Sequence, residues 1–173
     1  MNKAFFVDKD GTLVDNSGYP EIIPSDGLLE NDVVEGLKYL QKKEYKIILI
    51  SNQPWIAKGR MSIEEVEQVF QSLILKLSSF GVKIEDYYYC PHQTSDNCNC
   101  KKPKPQLIKD AANKHNINLN NSFMIGDMED DILTGKNAGI KTILVLTGNG
   151  RKYKENNNAD YTIKNINEVI NII

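Results

Sequence analysis

The chain has 173 residues, of which 40% are hydrophobic and 25% charged, with a formal net charge of -2. That length supports one full hydrophobic core and is short for two large domains, and the slightly acidic balance excludes a protein held on nucleic acid by bulk phosphate attraction. No apolar run reaches the roughly 20 residues of a membrane span and the first residues lack a signal's long apolar centre, so a single cytoplasmic domain over 1–173 is expected, a monomer acting on a small molecule with no nucleic-acid or membrane partner.

In chain order, residues 4–7 form a short apolar run that reads as a first strand and leads into Asp8, Lys9, Asp10, Gly11 and Thr12. Val33, Leu37 and Leu40 recur at helical spacing, and KIILI at 46–50 is then the continuous apolar run of a buried strand. Ser62 with Glu65 is a capping box opening a helix whose apolar stripe is Val66, Val69, Phe70, Leu73 and Leu77, closed by Gly81. Residues 87–89 read as a strand, 107–112 as a helix and 123–125 as another buried strand. A helix over 129–138 stops at Gly139, and 141–146 is the next strand. GNGRKYKENNN at 148–158 reads as a mobile loop, followed by a minor strand at 161–163 and a closing helix at 166–172. Strands alternating with helices predict an α/β fold, a Rossmann-like parallel sheet with helices on both faces.

Residues i and i+2 of a strand project to one side, so Asp8 and Asp10 leave the first strand together. Gly11 allows a sharp turn that the Thr12 hydroxyl can tie. Two carboxylates before such a turn suit a divalent cation and phosphate chemistry; taken alone they equally suit an Asp-Gly turn after an edge strand. A calcium loop would need ligands where Thr12 and Tyr19 stand. In open parallel sheets ligands bind beyond the carboxyl ends of the strands. Polar residues gather there three times, as Asp8 with Asp10, as Ser51 with Asn52, and as Gly126, Asp127, Asp130 and Asp131. Singly these read as caps and solvated helix starts, but three such groups at one sheet edge predict a shared cleft.

The segments DKDGT, SN, a lysine and GDxxxD resemble the motifs of the haloacid dehalogenase (HAD) superfamily of phosphohydrolases, across nearly the whole chain. The resemblance implies that Asp8 is the nucleophile and Asp10 its acid and base, with an aspartyl-phosphate between them. Ordinary chemistry agrees, because an aspartate with a reference pKa of about 3.9 is ionised at neutral pH and needs no activating base. Mg2+ shared by Asp8, the carbonyl of Asp10 and Asp127 would relieve its repulsion from a phosphate dianion. Asp10, among other acids, can be raised enough in pKa to protonate a departing alkoxide. Ser51 would grip phosphate oxygens and a lysine would balance charge. No large cap domain is expected.

All three cysteines and one of the two histidines fall in YYYCPHQTSDNCNCKKPKP, as Cys90-x-His92 and Cys98-x-Cys100. Three thiolates and an imidazole complete a tetrahedral structural Zn2+ shell with no open position. The alternatives are a disulfide or chance buried thiols; a cytosolic chain rarely keeps a disulfide, and the segment is polar for a core. A zinc loop over 90–100 would hold Lys102 over the cleft, although paired lysines in a loop are often only solvated charge.

With this loop the resemblance narrows to the zinc-bearing heptose bisphosphate phosphatases and the related histidinol phosphatases, which share CPH followed by C-x-C-[RK]-K-P. SNQPWIAKG is similar to the NQ-x-x-I-A-[RK]-G stretch of the heptose branch, and no dehydratase domain follows. The resemblance implies Mg2+-dependent removal of the 7-phosphate of D-glycero-D-manno-heptose 1,7-bisphosphate. Asp8, Asp10, Ser51 and Lys102 would be catalytic, and Asn16, Ser17, Gly18, Tyr19, Asn52, Gln53 and Lys101 would contact substrate. Histidinol phosphate, or a non-catalytic zinc-stabilised binding module, are the alternatives. Lys101 departs from the branch's arginine and lacks its bidentate fork. Pro54 and Trp55 replace a small-residue turn, and Met128 stands where some relatives carry lysine. Asp130 and Asp131 are expected to orient the metal's waters or Lys102. Gln53 and Lys58 read equally as sugar contacts and as ordinary surface.

Overall fold

A computed structural model describes residues 1–18, 21, 27, 28 and 32–173. Six strands, β1 (Lys3–Val7), β2 (Tyr45–Asn52), β3 (Asp86–Cys90), β4 (Phe123–Gly126), β5 (Lys141–Val145) and β6 (Tyr161–Ile163), form one sheet in the order β3-β2-β1-β4-β5-β6. Every pairing is parallel, with Val7 in register with Leu49 on one side and Ile125 on the other. Four α-helices cover it among the described residues: α1 (Asp32–Lys42), α2 (Ile63–Ser79), α3 (Gln106–His115) and α4 (Glu129–Ala138).

The continuous apolar runs are explained by burial on both faces. Phe5, Val7, Ile47, Leu49 and Ile125 point into a layer with α1 and α2, while Phe6, Ile48, Ile50 and Met124 point the other way, toward α3 and Ile140. The capping box at α2 forms as expected, with Ser62 Oγ accepting the Glu65 N–H at 3.1 Å and Glu65 Oε2 accepting the Ser62 N–H at 2.7 Å. No helix is long and apolar enough to cross a membrane among the described residues.

The segment read as a loop at 148–158 includes a short 3-10 helix, Gly150–Tyr153. One expectation is corrected in kind: the closing helix is of the 3-10 type, Ile166–Asn171. Ile166 and Val169 are its buried residues, and a three-residue spacing keeps them on one side of a three-residue turn as readily as on an α-helix.

The topology fixes where ligands can bind. The chain runs from β1 outward to β2 and β3, then returns to the opposite side of β1 as β4. Loops at such a switch point part and leave a crevice beyond the strand ends. Asp8 follows β1 and Asp127 follows β4, and the Asp8 N–H donates to the Ile125 carbonyl at 2.9 Å, so the two aspartates flank that crevice.

Candidate active site

Asp8 is held at both carboxylate oxygens. Thr12 Oγ1 donates to its Oδ2 at 3.1 Å and Lys102 Nζ to its Oδ1 at 2.6 Å. The same ammonium donates to Asp131 Oδ1 at 2.5 Å and to the Ile50 carbonyl at 3.1 Å. Asp131 Oδ2 in turn accepts the Met128 N–H at 3.0 Å, at the start of α4. Two glycines make this packing possible. Gly11 has φ +94°, and a β-carbon there would lie 2.3 Å from Asp127 Oδ2; one on Gly126 would lie 2.2 Å from Asp131 Oδ2.

The electrostatics of this floor are unbalanced. Burial pushes the Asp127 carboxyl up to about 8, helped by the charges of Asp8 and Asp131. Burial likewise raises Asp131 to about 7 against the pull of Lys102. Burial alone would lower the Lys102 ammonium, but the carboxylates of Asp131 and Asp8 hold it above its ordinary value. Were all three carboxylates ionised, one ammonium would leave two negative charges in a buried space, so a further cation is needed before Asp127 and Asp131 ionise readily. One oxygen from each of Asp8, Asp127 and Asp131 lies within 4.8 Å of the others. Asp127 Oδ2 accepts the Asn149 N–H at 2.7 Å, whereas Asp127 Oδ1 is buried with no hydrogen-bond partner. An orphaned carboxylate oxygen amid excess negative charge is what a hard divalent cation of magnesium's type satisfies, so the donor set fits that ion.

Asp10 faces differently. Its carboxylate pairs with Lys9 Nζ through Oδ1 and accepts Gln53 Nε2 at 2.8 Å through Oδ2. Burial raises its pKa, opposed by the charge of Lys9. Its main-chain carbonyl, the expected metal ligand, lies 3.4 Å from Asn16 Nδ2.

A cleft of about 210 Å³ opens over these groups, lined by Asp8, Asp10, Asn16, Ser51, Asn52 and Lys102, with Pro54, Trp55, Lys101, Met128, Asp130, Asp131 and Asn149 around them. Ser17, Gly18 and Gln53, expected at the substrate, are not among the residues lining this cleft. Ser17 is exposed and turns to Asp15, donating its N–H at 3.0 Å and its hydroxyl at 2.9 Å, and Gly18 does not line the cleft. Tyr19 lies outside the described residues. Gln53 is buried and faces inward, its amide reaching Ser51 Oγ at 2.9 Å as well as Asp10. Lys58 sits 5.2 Å from the Trp55 ring, with the Arg60 guanidinium 5.0 Å from the same ring. Sequence reasoning passed over Lys9 and Asn149; the position of Asn149 just beyond β5, at the ligand edge of the sheet, was the available signal.

A second cluster lies beside the cleft. Cys90 Sγ is 3.5 Å from Cys98 Sγ and 3.0 Å from Cys100 Sγ, and Cys98 and Cys100 are 3.6 Å apart. His92 Nδ1 lies 3.5 Å from Cys90 Sγ and 3.3 Å from Cys100 Sγ. A disulfide requires about 2.05 Å, so all three thiols are free and the disulfide alternative falls. Cys90 ends β3, and Asn97 in the left-handed region turns the chain so that Cys98 and Cys100 close on it. Four donor atoms converging from one loop fit a tetrahedral zinc shell.

Comparison with known proteins agrees with this architecture. A HAD-hydrolase-like family model matches residues 99–169. D-glycero-beta-D-manno-heptose-1,7-bisphosphate 7-phosphatase of Pasteurella multocida is 36% identical over 180 residues, spanning 100% of this chain and 97% of the relative. The Helicobacter pylori (strain J99) protein of the same name is 40% identical over 152 residues, 87% of each chain. Among solved structures, D,D-heptose 1,7-bisphosphate phosphatase from B. bronchiseptica, complexed with magnesium and phosphate, shares the fold with a TM-score of 0.88 at 23% identity, over 99% of this chain and 97% of its own.

Proposed function

The chain belongs to the haloacid dehalogenase superfamily and is a phosphoric monoester hydrolase, and from that premise we propose that it removes the 7-phosphate of D-glycero-beta-D-manno-heptose 1,7-bisphosphate through an aspartyl-phosphate on Asp8. The observation that carries the reading is the arrangement around Asp8: a carboxylate braced by Lys102 and Thr12, beside the orphaned oxygen of Asp127, at the floor of the cleft.

Asp8, the Asp10 carbonyl and Asp127 would hold magnesium, which when bound would neutralise charge on the phosphate dianion. The residues of the chain do the remainder. The Asp8 carboxylate attacks phosphorus, the bond from phosphorus to the sugar oxygen breaks, and Asp10 gives its proton to that oxygen. In the second half Asp10 takes a proton from water as the water attacks phosphorus, releasing inorganic phosphate and restoring Asp8. Ser51 holds phosphate oxygens, and Lys102, fixed by Asp131, balances the charge of the transferring group. Lys101 and Asn16 at the cleft mouth are suited to the sugar and its second phosphate. Cys90, His92, Cys98 and Cys100 would hold a structural zinc, with no vacant position for chemistry.

Phosphate release from the heptose bisphosphate and from histidinol phosphate, assayed side by side, tests the reading. The expected result is preference for the bisphosphate, loss of one phosphate per molecule, and no turnover by a folded Asp8→Asn variant. Preference for histidinol phosphate overturns the substrate, and turnover by Asp8→Asn overturns the nucleophile.

A further inference from the structure

Lys9 stands between the two aspartates and takes no part in the chemistry above, yet its side chain is fully buried. Taking an ammonium out of water costs several kcal/mol unless it is paired, and a leucine or methionine would fill a core position without that cost. The Lys9 side chain passes beneath α2, with Nζ 5.8 Å from the centre of the Phe70 ring, and its ammonium pairs with Asp10 Oδ1. On the other oxygen, Gln53 Nε2 donates to Asp10 Oδ2 at 2.8 Å. Gln53 is itself anchored, its N–H donating to the Cys90 carbonyl at 2.7 Å and its amide to Ser51 Oγ at 2.9 Å. The carboxyl of Asp10 is thereby gripped at each oxygen by a buried donor, one from its own strand end and one from just beyond β2. Rotating it breaks one of the two contacts.

We propose that Lys9, together with Gln53, is a positioning residue that fixes the orientation of the Asp10 carboxyl toward the leaving oxygen of the substrate. This rests on the reading of Asp10 as acid and base. Proton transfer needs heavy atoms within about 2.6–3.2 Å, a tolerance that a freely rotating carboxyl would often miss. The clamp leaves the nucleophile untouched, because Asp8 has its own donors in Lys102 and Thr12.

The two roles separate by leaving group. A sugar alkoxide must be protonated as it departs, whereas p-nitrophenolate leaves unaided. Lys9→Met keeps the buried stem and removes the ammonium, and Lys9→Arg restores the charge. Single-turnover, rapid-quench measurement of the first step with each substrate is the test. For Lys9→Met the rate with the sugar bisphosphate should fall about 100-fold with KM changed by less than about threefold, while the rate with p-nitrophenyl phosphate changes less than about threefold. Lys9→Arg should recover part of the loss. Gln53→Leu acts on the opposite oxygen and also frees Ser51 Oγ, so it should slow both substrates but the sugar bisphosphate at least about tenfold more, which decides the matter should Lys9→Met not fold. Equal losses on both substrates, or no loss on either, overturn the proposal. With Asp8→Asn inactive, that outcome leaves the nucleophile assignment standing; turnover by Asp8→Asn would instead remove the reading beneath it.

Discussion

Asn52 grips the backbone of Lys102 at both polar groups: the Lys102 N–H donates to Asn52 Oδ1 at 3.0 Å, and Asn52 Nδ2 donates to the Lys102 carbonyl at 3.3 Å. The last residue of β2 thus sets the root of the side chain whose ammonium reaches Asp8. Asn52→Ala should lower kcat about tenfold with little change in KM, and destabilise the fold by about 1–2 kcal/mol through the two lost hydrogen bonds. A raised KM with unaltered kcat and melting temperature would assign Asn52 to the substrate instead.

Lys102 is the only cation among the hydrogen-bond donors to Asp8 and Asp131 in the described residues. Lys102→Met leaves two buried carboxylates facing each other, so the fold should lose about 3–5 kcal/mol in urea unfolding without added metal. Added Mg2+ should restore part of that stability while turnover stays depressed at least about 100-fold. Wild-type stability in the variant would mean that the carboxylates find another counter-charge.

The Cys90, His92, Cys98 and Cys100 cluster runs directly into Lys101 and Lys102. Cys98→Ser should lower bound zinc and melting temperature together, since the binding free energy of a structural zinc is partly folding free energy. Metal analysis beside differential scanning calorimetry reads both. Full zinc content in the variant would remove Cys98 from the ligand set.

Asp86 opens β3 and accepts from Lys114 Nζ at 2.8 Å, the Tyr88 hydroxyl at 2.9 Å and the Tyr87 N–H at 2.9 Å, with His115 Nε2 at 2.7 Å. Partial burial alone would raise its carboxyl, but these donors outweigh it and hold the group at about 2. A folded pKa below the unfolded one means that the stabilisation is present above about pH 3.9 and is lost as pH falls toward 2. Asp86→Asn should therefore cost on the order of 1 kcal/mol at pH 7, less than the full shift because solvent reaches the site, and nothing near pH 2. Urea titrations at pH 7 and across the acid range measure the difference, and a gap between the variants that stays constant with pH would contradict it.

Much of the fold could be read from the chain because buried parallel strands are written as unbroken apolar runs, as at KIILI and FMI, and because Ser62 and Glu65 mark a helix start by local hydrogen bonding alone. The carboxylate floor was legible for a related reason: Asp8 and Asp127 follow directly on such runs, and topology does the rest. What escaped was set by partners distant in sequence. Gln53 reads as a polar cleft residue until β2 and the turn after β1 bring it against Asp10, 43 positions away. Ser17 has the chemistry of a substrate contact, but Asp15 two residues before it takes both of its donors. Lys9 looks like solvated charge in any linear reading, because nothing in DKDGT reveals that the lysine turns beneath α2.

The floor of the cleft and its mouth are built from different material. Asp8, Ser51 and Asp127 are buried at the strand ends, with Lys102 and the first-turn Asp131 of α4 buried against them, whereas Asn16, Pro54 and Lys101 are half-exposed on connecting segments. Substitutions among the latter disturb no sheet ladder and no buried charge. Divergence toward another phosphate ester can thus proceed at the entrance while phosphoryl transfer is inherited unchanged.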